Sequence, residues 1–193
     1  MKLLEFKFSL PGWVEGFLRE RGSKFSTVEK RMRFVVDLAR RNVQKRSGGP
    51  FAAGIFDEKG TLIAPGVNIV VASNCSILHA EIVAIILAQK RLGCYDIGAG
   101  DESHYELVTS TEPCAMCLGA IPWSGISCVV CGARSEDAQS IGFDEGAKPP
   151  DWQHAMQKRG IKVVQDVLRP EAISVLKEYA RGGGPIYNAG KRR

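Results

Sequence analysis

His79-Ala80-Glu81 and Pro113-Cys114-Ala115-Met116-Cys117 are the two places in this chain where residue type and spacing together could carry chemistry. One imidazole and two thiolates make three ligands for a zinc ion. A tetrahedral ion held by three side chains keeps a fourth position for water, the mark of a catalytic rather than a structural site. His79 and Glu81 are close enough in sequence for one to bind metal while the other faces the metal's water. Each set stands where an apolar run is about to open a helix, and the partial positive charge of a helix N-terminus favours thiolates. Taken alone, Cys114 and Cys117 also fit buried thiols or a redox Cys-x-x-Cys pair; joined to His-Ala-Glu, they point to metal. A four-thiolate site that adds Cys128 and Cys131 is the rival arrangement. Those two lie three apart in the apolar stretch Cys128-Val129-Val130-Cys131, and residues three apart in a strand point to opposite faces. Packing is expected of them, as of Cys75 and Cys94. His104 and His154 stand in polar stretches without ligand-spaced partners and are expected on the surface.

The elements that must position these groups follow from apolar periodicity. Leu4, Phe6 and Phe8 alternate with polar residues and read as a short strand over 4–9, or else as a loose arm. Pro11 suits the first position of a helix whose buried stripe is Trp13, Val14, Phe17 and Leu18. Ser26-Thr27-Val28-Glu29 is a capping box opening a helix with Val28, Met32, Val35, Ala39 and Val43 on one face, ended by Gly48-Gly49-Pro50. Two apolar runs, 51–56 and 62–64, joined by Asp57-Glu58-Lys59-Gly60, make a hairpin. A buried helix over 79–92, a strand over 106–109, a short helix from Pro113 and a strand over 126–130 follow. Then come a helical turn over 135–140, a helix over 152–159, a strand over 162–167 and a helix over 170–181 with Pro170 at its start. Gly182-Gly183-Gly184-Pro185 is a flexible link to a short tail. A hairpin followed by repeated helix–strand steps predicts an α/β fold, a mixed sheet with helices on both faces.

Length and composition agree with this. At 193 residues and 45% hydrophobic the chain has room and material for one ordinary core, which excludes disordered and collagen-like classes. The longest apolar run, 82–88, has seven residues, far short of the ~20 that span a bilayer. Charges interrupt the apolar residues at the N-terminus as a secretory signal does not, so a cytoplasmic protein with no membrane partner is expected. Six cysteines in that setting argue for thiols or metal ligands rather than a disulfide framework. The net charge of +5 is uneven: residues 1–50 carry 12 Lys/Arg against 5 Asp/Glu. Arg31, Arg33, Arg40, Arg41, Lys45 and Arg46 could attract nucleic acid. Without interleaved aromatics beyond Phe34, a solvated helix face is the simpler reading.

His-x-Glu followed by Pro-Cys-x-x-Cys is the signature of zinc-dependent nucleobase deaminases, and the chain resembles the cytidine-deaminase-like superfamily. More narrowly it is similar to bacterial guanine deaminases of that fold. The resemblance covers about 47–145. It is carried by Gly48-Gly49-Pro50-Phe51, Gly66-Val67-Asn68, His79-Ala80-Glu81, the run from Thr111 to Ile121, Trp123 and Ile141-Gly142-Phe143-Asp144-Glu145. Pro122 before the tryptophan and Ser124-Gly125 after it depart from the usual guanine deaminase pattern, and 1–46 and 93–104 have no obvious match.

The resemblance implies one deaminase domain over 1–193, with a helical N-terminal extension (1–46) and a C-terminal tail (182–193). It implies a three-layer α/β/α fold around a mixed, about five-stranded sheet. It implies zinc on His79, Cys114 and Cys117, Glu81 as proton shuttle, and conversion of guanine to xanthine and ammonia, or the same reaction on an aminated triazine or pterin. Asn68, otherwise a turn residue, would read a base edge, and Glu145, otherwise a solvated loop acid, would accept an N–H and assist proton transfer. Phe51 and Trp123, otherwise core, would stack on the base. Tyr187 would belong to a tail that closes the pocket, often from a partner subunit, so a homodimer is expected. Two other functions fit parts of the pattern. A tRNA adenosine deaminase shares both motifs and would use the basic N-terminal third, against which stands Gly142-Phe143-Asp144-Glu145. A zinc-stabilised binding module would leave Glu81 without purpose.

Overall fold

The computed structural model describes residues 4–100 and 104–188. Five strands form one sheet in the order β2-β1-β3-β4-β5. The hairpin of β1 (Ala52–Asp57) and β2 (Leu62–Val67) is antiparallel, and β1 pairs antiparallel with β3 (Tyr105–Thr111). From there β4 (Cys128–Ala133) and β5 (Lys162–Val164) add in parallel. The parallel half requires crossovers, supplied by helices.

Because the strands are covered on both faces, neighbouring residues feed two different cores. Ala52, Phe56, Val108 and Val130 pack with the N-terminal helices and the last helix. These are α1 (Trp13–Arg21), α2 (Val28–Gln44) and α7 (Arg169–Arg181). Ala53, Ile55, Leu107, Val129 and Cys131 face the opposite way. There they meet α3 (Ala80–Leu92), α4 (Ala115–Ser124) and α6 (Trp152–Gln157). A short α5 (Ser135–Gln139) follows β4. The expected three-layer α/β/α arrangement is therefore the one observed. Cys128 and Cys131 join opposite cores, as the strand geometry required, and cannot share a metal with Cys114 and Cys117.

Three local expectations need correction. Residues 4–10 form no strand; Phe8 and Leu10 pack singly against the first core, so their alternation reflects side-chain anchoring without a ladder. Pro11 precedes the N-cap Gly12 instead of opening α1, and its carbonyl accepts from the Val14 amide. The α2 cap is Thr27, whose hydroxyl accepts from the Lys30 amide, so the box with Glu29 is not closed. The basic end of the tail, 189–193, lies outside the described residues, as do 101–103 within the insert.

The N-terminal arginines find acids within the chain. Arg31 pairs with Glu106, Arg33 with Glu171, Arg40 with Glu178 and Arg41 with Glu20. Three of these pairs set positive charge of the first 50 residues against acids beyond them and fasten α2 to β3 and α7; the fourth joins α2 to α1.

Gly66 on β2 sets the height of α3 above the sheet. A Cβ there would overlap the Ala80 carbonyl oxygen and the Ala84 amide. Gly66→Ala must therefore lift the first turn of α3, which begins at His79. The expected outcome is a stability loss of about 1–3 kcal/mol and zinc content below one per chain, checked by thermal unfolding and metal analysis.

Candidate metal centre and its pocket

His79 is the N-cap of α3 and Cys114 the N-cap of α4. Both have extended backbone, and neither side chain caps its own helix, so both are free to bind something else. Cys117 lies one turn into α4 and is fully buried. The ligand atoms of His79, Cys114 and Cys117 all lie within 4.8 Å of one another, and Cys114 Sγ is 3.5 Å from His79 Nδ1. Zn–S bonds of about 2.3 Å and Zn–N bonds of about 2.0 Å in tetrahedral geometry need ligand separations of this size. The donor set is borderline-soft, as zinc prefers. These three residues could hold a metal ion, and among the described residues no other such group exists.

The electrostatics around them are those of a buried anionic site. A hydrogen bond from Cys117, then the imidazole of His79, pull the Cys114 thiol down to about 4 against the effect of burial. Burial alone would lower His79, but Cys114, Glu81 and Glu145 hold it above its ordinary value. Burial pushes Glu81 up to about 7, with the Cys114 thiolate adding to it. The same two causes, with Glu81, bring Glu145 to about 8. A divalent cation among these groups would draw the carboxylates down again.

The centre forms the floor of a cavity of about 420 Å³, the size of small-molecule sites. Phe51, Val70, Ser76, Glu81, Thr111, Met116, Phe143, Glu145 and Tyr187 are among its lining residues. Glu145 arrives on the loop after α5, held there because its carbonyl accepts from the Ala115 amide, an orphan donor of the first turn of α4, at 2.9 Å. Its Oε2 has no partner. Phe143 organises the aromatic wall: its centroid is 4.9 Å from Phe51, 5.1 Å from Tyr187 and 6.0 Å from Tyr179. The tail is pinned over this wall. Tyr179 OH donates to the Pro185 carbonyl at 2.7 Å, and Asn188 Nδ2 donates to Gly142 O at 2.8 Å. Asn188 Oδ1 in turn accepts from the Asp144 amide at 2.9 Å.

Of the residues expected from sequence, His79, Cys114, Cys117, Glu81, Glu145, Phe51 and Tyr187 meet at this cavity. Asn68 is not itself a lining residue; it is buried just after β2, bonded to the lining residues Phe51 and Val70, with its amide donating to the Phe51 carbonyl, Oδ1 accepting from the Val70 amide and Nδ2 unpartnered. Trp123 does not join them. It stands seven residues beyond Met116, about 10 Å further along α4, and is 81% exposed. His154 is exposed, as expected, and so is His104.

Residues that sequence reasoning missed hold the loops together. Glu112, two residues before Cys114, accepts from Lys148 Nζ at 3.0 Å and from the Ser135 amide and hydroxyl. Lys148 also reaches Ser135 Oγ and lies 4.3 Å over the Trp152 ring. Both side chains are over nine-tenths buried. Burial works against the Glu112 carboxylate, and Lys148 holds it below its ordinary value. The pair clamps the Glu145 loop to the Cys114 loop. The only sequence signal was Glu112 inside the Thr-Glu-Pro-Cys run. Lys148→Ala leaves the buried carboxylate without its counter-charge and should cost about 3 kcal/mol, read as a melting temperature lowered by roughly 6–12 °C. Replacing both partners by Glu112→Gln and Lys148→Met should recover much of the loss.

Comparison with known proteins sets this geometry among relatives. The family model for the cytidine and deoxycytidylate deaminase zinc-binding region matches residues 25–133. A guanine deaminase of Bacillus subtilis is 42% identical over 133 residues, 69% of this chain and 81% of that protein. A solved guanine deaminase from Nitrosomonas europaea superposes with a TM-score of 0.87 at 43% identity, covering 92% of this chain and 97% of that one. A solved complex with 2,6-diaminopurine superposes with a TM-score of 0.85 at 44% identity, covering 95% and 96%.

Proposed function

Since this chain belongs to the cytidine and deoxycytidylate deaminase zinc-binding family, and is thereby a zinc-dependent aminohydrolase, we propose that its substrate is free guanine, converted to xanthine and ammonia. The carrying observation is a cavity lined by Glu145 and Tyr187, whose buried Oε2 and hydroxyl have no partner, beside a zinc-ligand cluster and Glu81; the unpartnered Asn68 Nδ2 is buried next to the lining residues Phe51 and Val70. The relatives named above, guanine deaminases and a diaminopurine complex, support the same ring.

A zinc ion held by His79, Cys114 and Cys117 would supply a water made acidic near neutral pH. Glu81, desolvated at the start of α3, takes a proton from the attacking water and delivers it to a ring nitrogen. Water's oxygen bonds to C2, the carbon bearing the exocyclic amine. Glu81 then moves the remaining proton of the new hydroxyl to that amine, the C–N bond breaks to release ammonia, and C2 keeps the oxygen as a carbonyl. Glu145 accepts from a ring N–H or from the amine and assists the transfer. Asn68 Nδ2 donates to an acceptor on the base edge. Phe51 offers its face to the ring. Tyr187 and Asn188 close the cavity and keep bulk water from it.

Two features weigh against RNA as substrate: the arginines of α2 have partners within the chain, and the tail lies across the pocket that a polynucleotide would enter. A homodimer is part of the proposal. Ile86 of α3 and Met116 and Trp123 of α4 are apolar side chains left in solvent, as association surfaces are.

Guanine, related bases and nucleosides, and a tRNA stem-loop should be assayed together for ammonia release. Xanthine from free guanine is expected; inosine in the stem-loop without xanthine overturns the reading. Glu81→Gln should keep zinc and lose roughly 10²–10⁴ in kcat; near-normal turnover removes its role. Truncation after Arg181 should retain zinc but lower guanine turnover by about tenfold or more, since a closing segment excludes water and completes the site. Mass in solution, measured on both forms, tests the dimer; full activity in the truncated form shows that the tail is no lid.

A further inference from the structure

The reaction as described uses nothing from the N-terminal helices, yet a line of hydrogen bonds runs from α1 to the base-facing wall. Trp13 Nε1 donates to Ser47 Oγ at 2.9 Å. Ser47 Oγ donates to Asn42 Oδ1 at 2.8 Å. Asn42 Nδ2 then donates twice, to Gly49 O at 2.9 Å and to Asn68 O at 3.0 Å. Asn42 has no exposure at all, and both of its amide protons and its carbonyl oxygen are used, so its orientation is fixed.

The two carbonyls it bridges belong to the segment before β1 and the segment after β2. Gly49 leads into Phe51 and β1, and Tyr187's hydroxyl lies against it. Asn68 leaves β2, and its amide donates to Phe51 O at 3.0 Å. The two segments are packed so closely that a Cβ on Gly48 would overlap the Asn68 carbonyl. Asn42 therefore ties the segment that leads into the pocket residue Phe51 to the Asn68 segment, without itself lining the cavity.

We infer that Asn42, held by Ser47 and Trp13, is a positioning residue for base recognition: the N-terminal helices set the aim of Asn68 and the place of Gly49 and Phe51. The inference rests on Asn68 reading the base. A backbone carbonyl that accepts from Asn42 fixes the peptide from which the Asn68 side chain departs, and its free Nδ2 can then point only where the local backbone allows. Removing the clip frees two carbonyls and lets Asn68 turn, which weakens binding of the base while leaving Glu81 and the metal ligands, which start α3 and α4, undisturbed.

The test is a double-mutant cycle on the zinc-loaded, full-length enzyme with guanine as substrate. Asn42→Ala should raise KM by about tenfold, the worth of a buried polar contact, with kcat changed less than about threefold and zinc unchanged. Asn68→Ala should raise KM as well. In the Asn68→Ala background, Asn42→Ala should add no more than about twofold to KM, although its effect on melting temperature persists. A purely structural Asn42 would lower stability and leave KM alone, or act additively; either result overturns the inference. Asn68→Ala raising KM while Asn42→Ala does not overturns it alone. Wild-type kinetics in Asn68→Ala overturn the recognition reading and this inference together. Should Asn42→Ala not fold, Ser47→Ala replaces it in the same cycle, keeping the amide but losing the hydroxyl that orients it, with an expected rise in KM of about threefold.

Discussion

Two helix N-termini converging on one point is the constraint that the rest of the molecule serves. Caps are ordinarily where a side chain satisfies its own helix. Here His79 and Cys114 stand at the caps of α3 and α4 and leave their helices uncapped, so that both turn toward a shared centre. The uncapped amides are answered otherwise: the Glu145 carbonyl takes the Ala115 amide, and that one bond also delivers Glu145 to the cavity. A site built at helix starts inherits their partial positive charge, which suits two sulfurs and two carboxylates crowded into a desolvated space.

Such crowding has to be held against its own repulsion, and the restraints come from far along the chain. Glu112 and Lys148 fasten the loop after β3 to the loop before α6. Arg31 and Glu106 fasten α2 onto β3. Phe143 gathers Phe51, Tyr179 and Tyr187 from three separate segments into one wall. None of these contacts is local.

That distinction explains what could be read from the sequence. The metal cluster was legible because its chemistry is written in short spacings, two residues for His79 and Glu81 and three for Cys114 and Cys117. The sheet and its covering helices were legible because burial on two faces imposes plain runs and helical stripes. Trp123 was misplaced because an aromatic next to a motif says nothing of how far along its helix it sits. The strand expected over 4–9 failed because alternation does not reveal whether an edge is within reach. Asn42 was invisible: an asparagine inside an amphipathic helix has no signature until Ser47, Gly49 and Asn68 close round it. The ion pairs of the basic N-terminal third were not legible either, since its acidic partners lie as far away as Glu171 and Glu178.

The three tryptophans have been distributed so that no two share an environment. Trp152 is 3% exposed beneath the Lys148 ammonium, Trp123 is 81% exposed, and Trp13 is half-buried with its N–H on Ser47. Indole emission moves to longer wavelength as water reaches the ring, so the chain carries its own optical map. Its blue component reports the clamp behind the metal loops, its red and most quenchable component reports the outer face of α4, and its intermediate component reports the junction between α1 and the base-facing wall. Single replacements at these positions would separate the three signals, allowing the catalytic side and the N-terminal side of the molecule to be watched loosening one before the other.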